Sequence, residues 1–216
     1  ADHPLVTGGS GIALGLPENY RRQGLLGAPA EAALPNVTGP AVIIAGSCSQ
    51  ATRGQVARAK KQWPTHQVDP LALGDVVDAA RTVADKILAG LNSGPQLVYS
   101  TADPDTVVKV QSEMGRNQAG DTVERFFGRL ARNLRDGGVR RFVVAGGETS
   151  GAVVQALGEQ AMRIGPEIAP GVPWTESLTF ATGGEAPLAL TLKSGNFGAE
   201  DFFEKALAML DEKAVA

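Results

Sequence analysis

The sequence predicts an α/β domain with a mainly parallel open sheet flanked by helices, and a C-terminal hairpin or antiparallel edge. Three observations lead there. Short continuous apolar runs such as Ala41-Val42-Ile43-Ile44-Ala45 have the character of strands buried on both faces. Segments with apolar residues at helical spacing alternate with these runs, and strand–helix alternation implies βαβ units. Small glycine- and hydroxyl-bearing loops join strand ends to helix starts, as they do in Rossmann-like three-layer domains.

The elements follow in order. Residues 1–40 are rich in Gly and Pro and read as an irregular lead-in packed on the core, with one or two helical turns; residues 41–216 form the domain proper. After the strand at 41–45, Gly46-Ser47-Cys48-Ser49 opens a helix over 50–62, with Val56, Ala59 and Trp63 on one side. Residues 75–91 place Val76, Ala80, Val83, Ala84, Ile87, Leu88 and Leu91 on a single helical stripe. A strand over 96–101 is stopped by the turn signal Asp103-Pro104-Asp105. Residues 121–135 carry Phe126, Phe127, Leu130 and Leu134 on one helical face, and Gly137-Gly138 ends that helix. A strand over 139–145 then runs into Gly146-Gly147-Glu148-Thr149-Ser150-Gly151 and another helix. Near the end, 177–182 and 188–193 flank Gly183-Gly184-Glu185 as a hairpin, and 199–210 closes the chain as a helix.

Composition excludes several functions. The 216 residues, 43% hydrophobic, suffice for one sizeable core. A formal charge of -3 argues against a nucleic-acid partner. Arg129, Arg132, Arg135, Arg140 and Arg141 cluster locally, but Asp121, Glu124 and Asp136 are interleaved with them, so the patch reads as a solvated helix face. Cys48 stands alone, which rules out an internal disulfide and points to a reducing, cytoplasmic setting. With only His3 and His66 as imidazoles, a zinc site is not expected. No apolar run approaches the roughly 20 residues that span a bilayer, so no membrane partner is expected. The chain opens Ala1-Asp2 rather than with Met, which suggests a processed start or a segment of something longer. The apolar lead-in raises the further expectation of homo-oligomer formation.

Three loops share one design: 46–49, 146–151 and Lys193-Ser194-Gly195-Asn196-Phe197-Gly198. Each leaves a strand and opens a helix, and in an open α/β sheet such loops gather at the carboxyl edge where ligands bind. Helix starts carry unpaired N–H groups and partial positive charge, which suits phosphate. Gly146 and Gly147 allow a ligand close to the backbone. Lys193 would add a mobile cation and Asn196 an amide donor. Each piece also has a purely structural reading. Ser47 or Ser49 could be an N-cap, and so could Thr149 or Ser150. Glu148 is either a carboxylate favoured by the helix start or one that reaches Mg²⁺ through water. Lys193 is either a solvated strand end or a phosphate ligand, and Cys48 reads as a small hydrophobe. A Gly-x-x-x-x-Gly-Lys-Ser/Thr run is absent, and no Gly-x-Gly-x-x-Gly follows the first strand.

Taken together, Gly46-Ser47-Cys48-Ser49-Gln50-Ala51-Thr52-Arg53-Gly54-Gln55, Ala145-Gly146-Gly147-Glu148-Thr149-Ser150-Gly151-Ala152-Val153, Leu192-Lys193-Ser194-Gly195-Asn196-Phe197-Gly198 and Asp201-Phe202-Phe203 resemble the four-carbon acid sugar kinase family. The lead-in from Leu5 to Pro17 is similar to the segment joining that family's two domains. The resemblance implies the ATP-binding C-terminal half of such a kinase (3-oxo-tetronate, threonate or erythronate), with 1–40 as inter-domain lead-in and 41–216 as nucleotide-binding domain. It implies ATP or ADP and Mg²⁺ as cofactors. The partner would be an N-terminal sugar-acid-binding domain, which bears an Asp-Asp motif and the catalytic residues. Carried over from the family, nucleotide contacts would fall on Ser47 or Ser49, on Gly146, Gly147, Glu148 and Thr149, and on Gly195; the loop chemistry itself adds Ser150, Lys193 and Asn196 as candidates. On this reading the isolated chain binds nucleotide without turning over a sugar acid. The alternative is a free-standing nucleotide-binding or regulatory module without catalysis; a third reading makes the loops structural only.

Overall fold

A computed structural model describes residues 5, 7, 8, 10–29, 31–179 and 186–215. The chain divides into two units, Ala1–Ala32 and Ala33–Ala216. The first holds a 3-10 segment, Ser10–Gly15, and helix α1, Leu16–Arg22. Pro17 sits in the first turn, where its missing N–H is not needed, and Glu18 pairs with Arg22 at 3.2 Å one turn on.

The second unit is built on a seven-stranded sheet. In chain order its elements are β1 (Ala41–Ala45), α2 (Gln50–Ala59), β2 (Thr65–Gln67), α3 (Val76–Gly90), β3 (Gln96–Tyr99), α4 (Pro104–Met114), α5 (Arg116–Asp136), β4 (Arg141–Ala145), α6 (Gly147–Leu157), β5 (Met162–Ala169), β6 (Val172–Ser177), β7 (Ala189–Lys193) and α7 (Phe202–Val215). The order across the sheet is β2-β3-β1-β4-β7-β6-β5. β2, β3, β1, β4 and β7 run parallel, whereas β6 and β5 add an antiparallel edge beyond β7.

Strand alternation sorts the core into two layers. Val42, Ile44, Phe142, Val144 and Leu190 face α3, α5 and α6; Ala41, Ile43, Ala45, Val143 and Ala189 face α2 and α7. Every residue of β1 is buried, which explains its unbroken apolar run. The stripe Phe126, Phe127, Leu130, Ala131 and Leu134 fixes α5 on the first layer. Gly128 lets α6 approach: a Cβ there would sit 3.1 Å from the Ala152 carbonyl oxygen.

Several expectations need correction. Asp103-Pro104-Asp105 starts a helix instead of ending a segment, because Asp103 caps α4 by accepting the Thr106 N–H at 2.9 Å and Pro104 occupies the first turn. α5 begins at Arg116, ahead of the expected 121, and α7 runs Phe202–Val215 instead of 199–210. The strand paired with β7 is β6, Val172–Ser177, rather than 177–182, with Trp174 opposite Thr191 and Glu176 opposite Ala189. Gly183-Gly184-Glu185 lies outside the described residues. β5 and β2 are edge strands that bury almost no side chain fully, so neither carries an apolar run.

Candidate functional site

β1 and β4 are neighbours, but the helices that follow them pack on opposite faces, α2 in one layer and α6 in the other. This divergence opens a crevice above their carboxyl ends. Gly46 N and Ser47 N both donate to the Ala145 carbonyl, at 3.0 and 3.2 Å, and Gly146 N donates to the Lys193 carbonyl at 2.8 Å. Three glycines let the loops close on one another. A Cβ on Gly46 would collide with Thr149 Oγ1, and one on Gly195 with Ser47 Oγ; one on Gly146 would lie 3.2 Å from Ser47 N. Gly146 also has φ +133°, a conformation that favours glycine. The 46–49, 146–151 and 193–198 loops therefore form one contiguous surface.

α6 has no side-chain cap, and the N–H groups of Gly147, Glu148 and Thr149 meet no acceptor among the described residues. The helix start is thus an open set of donors with the positive end of the dipole behind it. Thr149 is buried against Gly46 and Gly146 and does not cap its helix; the Ser150 hydroxyl is buried without a partner among the described residues. Ser49 is the cap of α2, accepting the Thr52 N–H at 3.2 Å, and Ser47 Oγ accepts the Ser49 N–H at 3.2 Å. Cys48 is a free, half-buried thiol. Glu148 and Asn196 are exposed.

Lys193 corrects the expectation of a mobile cation. It is 0% exposed, and Nζ donates to Thr52 Oγ1 at 3.0 Å and to the Gly195 and Ser194 carbonyls at 3.0 and 3.1 Å. Burial lowers its pKa from 10.5 to about 8. Thr52 and Gln55, both buried and both touching the 193–199 segment, were not among the site residues inferred from sequence. Their signal is a pair of polar residues on the helix face that also carries Val56 and Ala59.

On the β3 side of the crevice a cleft of ≈ 560 Å³ is lined by Gly46, Cys48, Ser100, Ala102, Glu148 and Thr149, and by residues of α4 and α5. Glu124 also lines it; burial raises its carboxyl above the usual range, and the charges of Glu148 and Asp121 add to the effect. A larger cavity of ≈ 850 Å³ lies along α5 and α6 and is walled by Arg125, Arg129 and Arg132. It includes Glu148 but neither Gly46 nor Thr149, whereas the smaller cleft includes all three, and no residue of the 193–198 loop lines either space. No group of three or more His, Cys, Asp or Glu is placed to hold a metal among the described residues. No helix among them is long and apolar enough to cross a membrane.

An open, mainly parallel sheet with glycine loops meeting over a strand-order switch defines a Rossmann-like ligand-binding domain. Within that class the chain belongs to the nucleotide-binding C-terminal domain family, whose model matches residues 42–203. It is 54% identical over 214 residues to a 3-oxo-tetronate kinase of Cupriavidus necator, covering 97% of this chain and 48% of that protein. It is 53% identical over 213 residues to a 3-oxo-tetronate kinase of Pseudomonas fluorescens, covering 97% and 47%. The chain spans about half the length of the curated relatives it matches. A crystal structure of a Haemophilus influenzae protein superposes with a TM-score of 0.79 at 39% identity, covering 97% of this chain and 48% of that one. A Bordetella bronchiseptica structure at 22% identity and a TM-score of 0.61, covering 80% and 41%, shares the fold.

Proposed function

We propose that this chain is the ATP-binding half of a kinase that phosphorylates a four-carbon acid sugar, 3-oxo-tetronate by the names of its relatives. The observation that carries the reading is the crevice between β1 and β4, where the unpaired N–H groups of Gly147, Glu148 and Thr149 meet two further glycine loops. These donors suit the phosphates of ATP, and fixed dipoles at a helix start stabilise charge there without reorganising. Ser47, Ser49, Gly195 and Asn196 complete the rim. Glu148, with Asp121 and Glu124 nearby, would repel a bare triphosphate. A magnesium ion carried on the phosphates offsets that repulsion, and Glu148 is the loop carboxylate suited to reach it through water. When bound, ATP supplies the γ-phosphoryl group that a sugar hydroxyl attacks, and catalysis of that step is mostly positioning and charge neutralisation. The residue that takes the hydroxyl proton belongs to the sugar-acid-binding domain in this proposal, so the isolated chain binds nucleotide and does not turn over. The cytoplasm and a homo-oligomeric assembly are the proposed setting.

The test is thermal and chemical stability of the chain with and without Mg-ATP. A ligand that binds only the folded form, at about 100 times its dissociation constant, adds roughly 2.7 kcal/mol. No shift at millimolar Mg-ATP would remove the nucleotide reading. Robust sugar-acid phosphorylation by the 216 residues alone would remove the half-enzyme reading.

A further inference from the structure

In the 193–199 segment the carbonyls of Ser194, Gly195, Phe197, Gly198 and Ala199 are turned inward. Gly195 O accepts three hydrogen bonds, from Ser49 Oγ at 2.6 Å, Thr52 Oγ1 at 2.9 Å and Lys193 Nζ at 3.0 Å. Ser194 O accepts from Lys193 Nζ at 3.1 Å. Further along, Gln55 Nε2 lies 3.0, 3.1 and 3.0 Å from the carbonyl oxygens of Phe197, Gly198 and Ala199. Three carbonyls around one amide fix its orientation, because only the NH₂ end can face them. The donors come from one turn-and-a-half of α2, plus the buried lysine at the end of β7.

Peptide planarity makes this one-sidedness consequential. No peptide among the described residues is cis, so each carbonyl turned toward α2 sends the N–H of the next residue the opposite way. Those N–H groups belong to Gly195, Asn196, Gly198, Ala199 and Glu200, and none of them meets an acceptor among the described residues. A carbonyl that receives an ammonium and two hydroxyls also polarises its peptide, which strengthens the N–H on the far side as a donor. The peptide between Gly195 and Asn196 is the one so treated, and Gly195 abuts Ser47 and Ser49 on the rim of the crevice.

We propose that Thr52, Gln55 and Lys193 are positioning residues that hold the 193–199 segment carbonyl-inward, so that the Gly195 and Asn196 amides become fixed donors to the anionic groups of the bound nucleotide. This inference rests on the nucleotide reading and adds residues that touch no ligand themselves. It explains why a lysine is buried here with uncharged partners: its charge acts through the peptide it grips. It also explains two polar residues on an apolar helix face.

The experiment is an ADP titration of the 216-residue chain followed by amide shifts, with magnesium present, on wild type, Thr52→Val, Thr52→Ser and Lys193→Met. Wild-type amides of 147–149 and of 195–196 are expected to shift together. Thr52→Val keeps the side-chain shape and removes the hydroxyl; it is expected to weaken ADP by about tenfold, the worth of one hydrogen bond, and to shrink the 195–196 shifts while those at 147–149 persist. Thr52→Ser restores both. Lys193→Met gives the same pattern as Thr52→Val and provides the reading if the valine variant does not fold. Thr52→Val or Lys193→Met binding ADP as wild type does, with unchanged 195–196 shifts, overturns the inference. Wild-type shifts confined to 147–149 also overturn it and leave the nucleotide reading standing. Shifts at neither loop overturn both.

Discussion

Replacing Lys193 by methionine should change how the stability of this domain depends on pH. The ammonium is 0% exposed, its three acceptors are uncharged, and burial lowers its pKa from 10.5 to about 8. Below pH 8 the lysine is protonated in both folded and unfolded chains, and the folded chain bears the full cost of a buried charge. Between pH 8 and 10.5 the folded chain gives up a proton that the unfolded chain keeps, so stability rises with pH across that window. The slope for one proton is about 1.4 kcal/mol per pH unit, and from pH 7 to 10 the gain comes to roughly 2 to 3 kcal/mol. Urea unfolding of wild type and Lys193→Met at both pH values measures it, because other titrating groups cancel in the difference of differences. Wild type is expected to gain that amount over the variant. A gap that does not change with pH, or one that moves against wild type at pH 10, would refute the reasoning. Either result would mean that the three acceptors stabilise the ammonium by at least as much as burial penalises it.

Other substitutions probe other parts of the account. Gly46→Ala drives a methyl into Thr149 Oγ1 and should cost about 1 to 3 kcal/mol in urea unfolding, with a matching loss of ADP affinity in calorimetry; an unchanged melt would show that the loops are not packed as described. Ser49→Ala removes the cap of α2 and the 2.6 Å bond to Gly195 O, and roughly 1 to 2 kcal/mol should be lost. Glu159 is held above the usual carboxyl range by burial, against the pull of hydrogen bonds from Ser177 and Thr179. Its folded pKa therefore exceeds the unfolded one, and its ionisation weighs on the fold at neutral pH, a burden relieved as pH falls through the folded pKa. Glu159→Gln should be neutral or stabilising at pH 7 and lose that advantage in acid; a destabilised variant at pH 7 would contradict this.

The central architecture was legible in the sequence because burial on both faces leaves a plain mark. β1, β4 and the stripe on α5 contain little but apolar residues where they face the core, and the three glycine loops stand out where those strands end. The edges were not legible for the opposite reason. β5 and β2 bury almost none of their side chains fully, so nothing in their composition separates them from loop. Asp103-Pro104-Asp105 shows a different limit: the residues that favour a turn are also those that cap and begin a helix, and the Thr106 N–H held by Asp103 settles which one forms. At the site, glycines and hydroxyls announced the loops themselves. What supports them was hidden, because Thr52 and Gln55 hold backbone carbonyls far along the chain and Lys193 meets Thr52 across the same interval, and a local pattern does not reveal a contact across more than a hundred residues. Lys193 in particular has the composition of a surface residue and the burial of a core one.

The most direct test of the account is a crystal structure of this chain with Mg-ADP bound. The account predicts the phosphates over the crevice between β1 and β4, within hydrogen-bonding distance of the amides of Gly147, Glu148 and Thr149, with the Gly195 and Asn196 amides on the opposite wall. A nucleotide seated instead in the cavity along α5 and α6, with its phosphates on Arg125, Arg129 and Arg132, would contradict it.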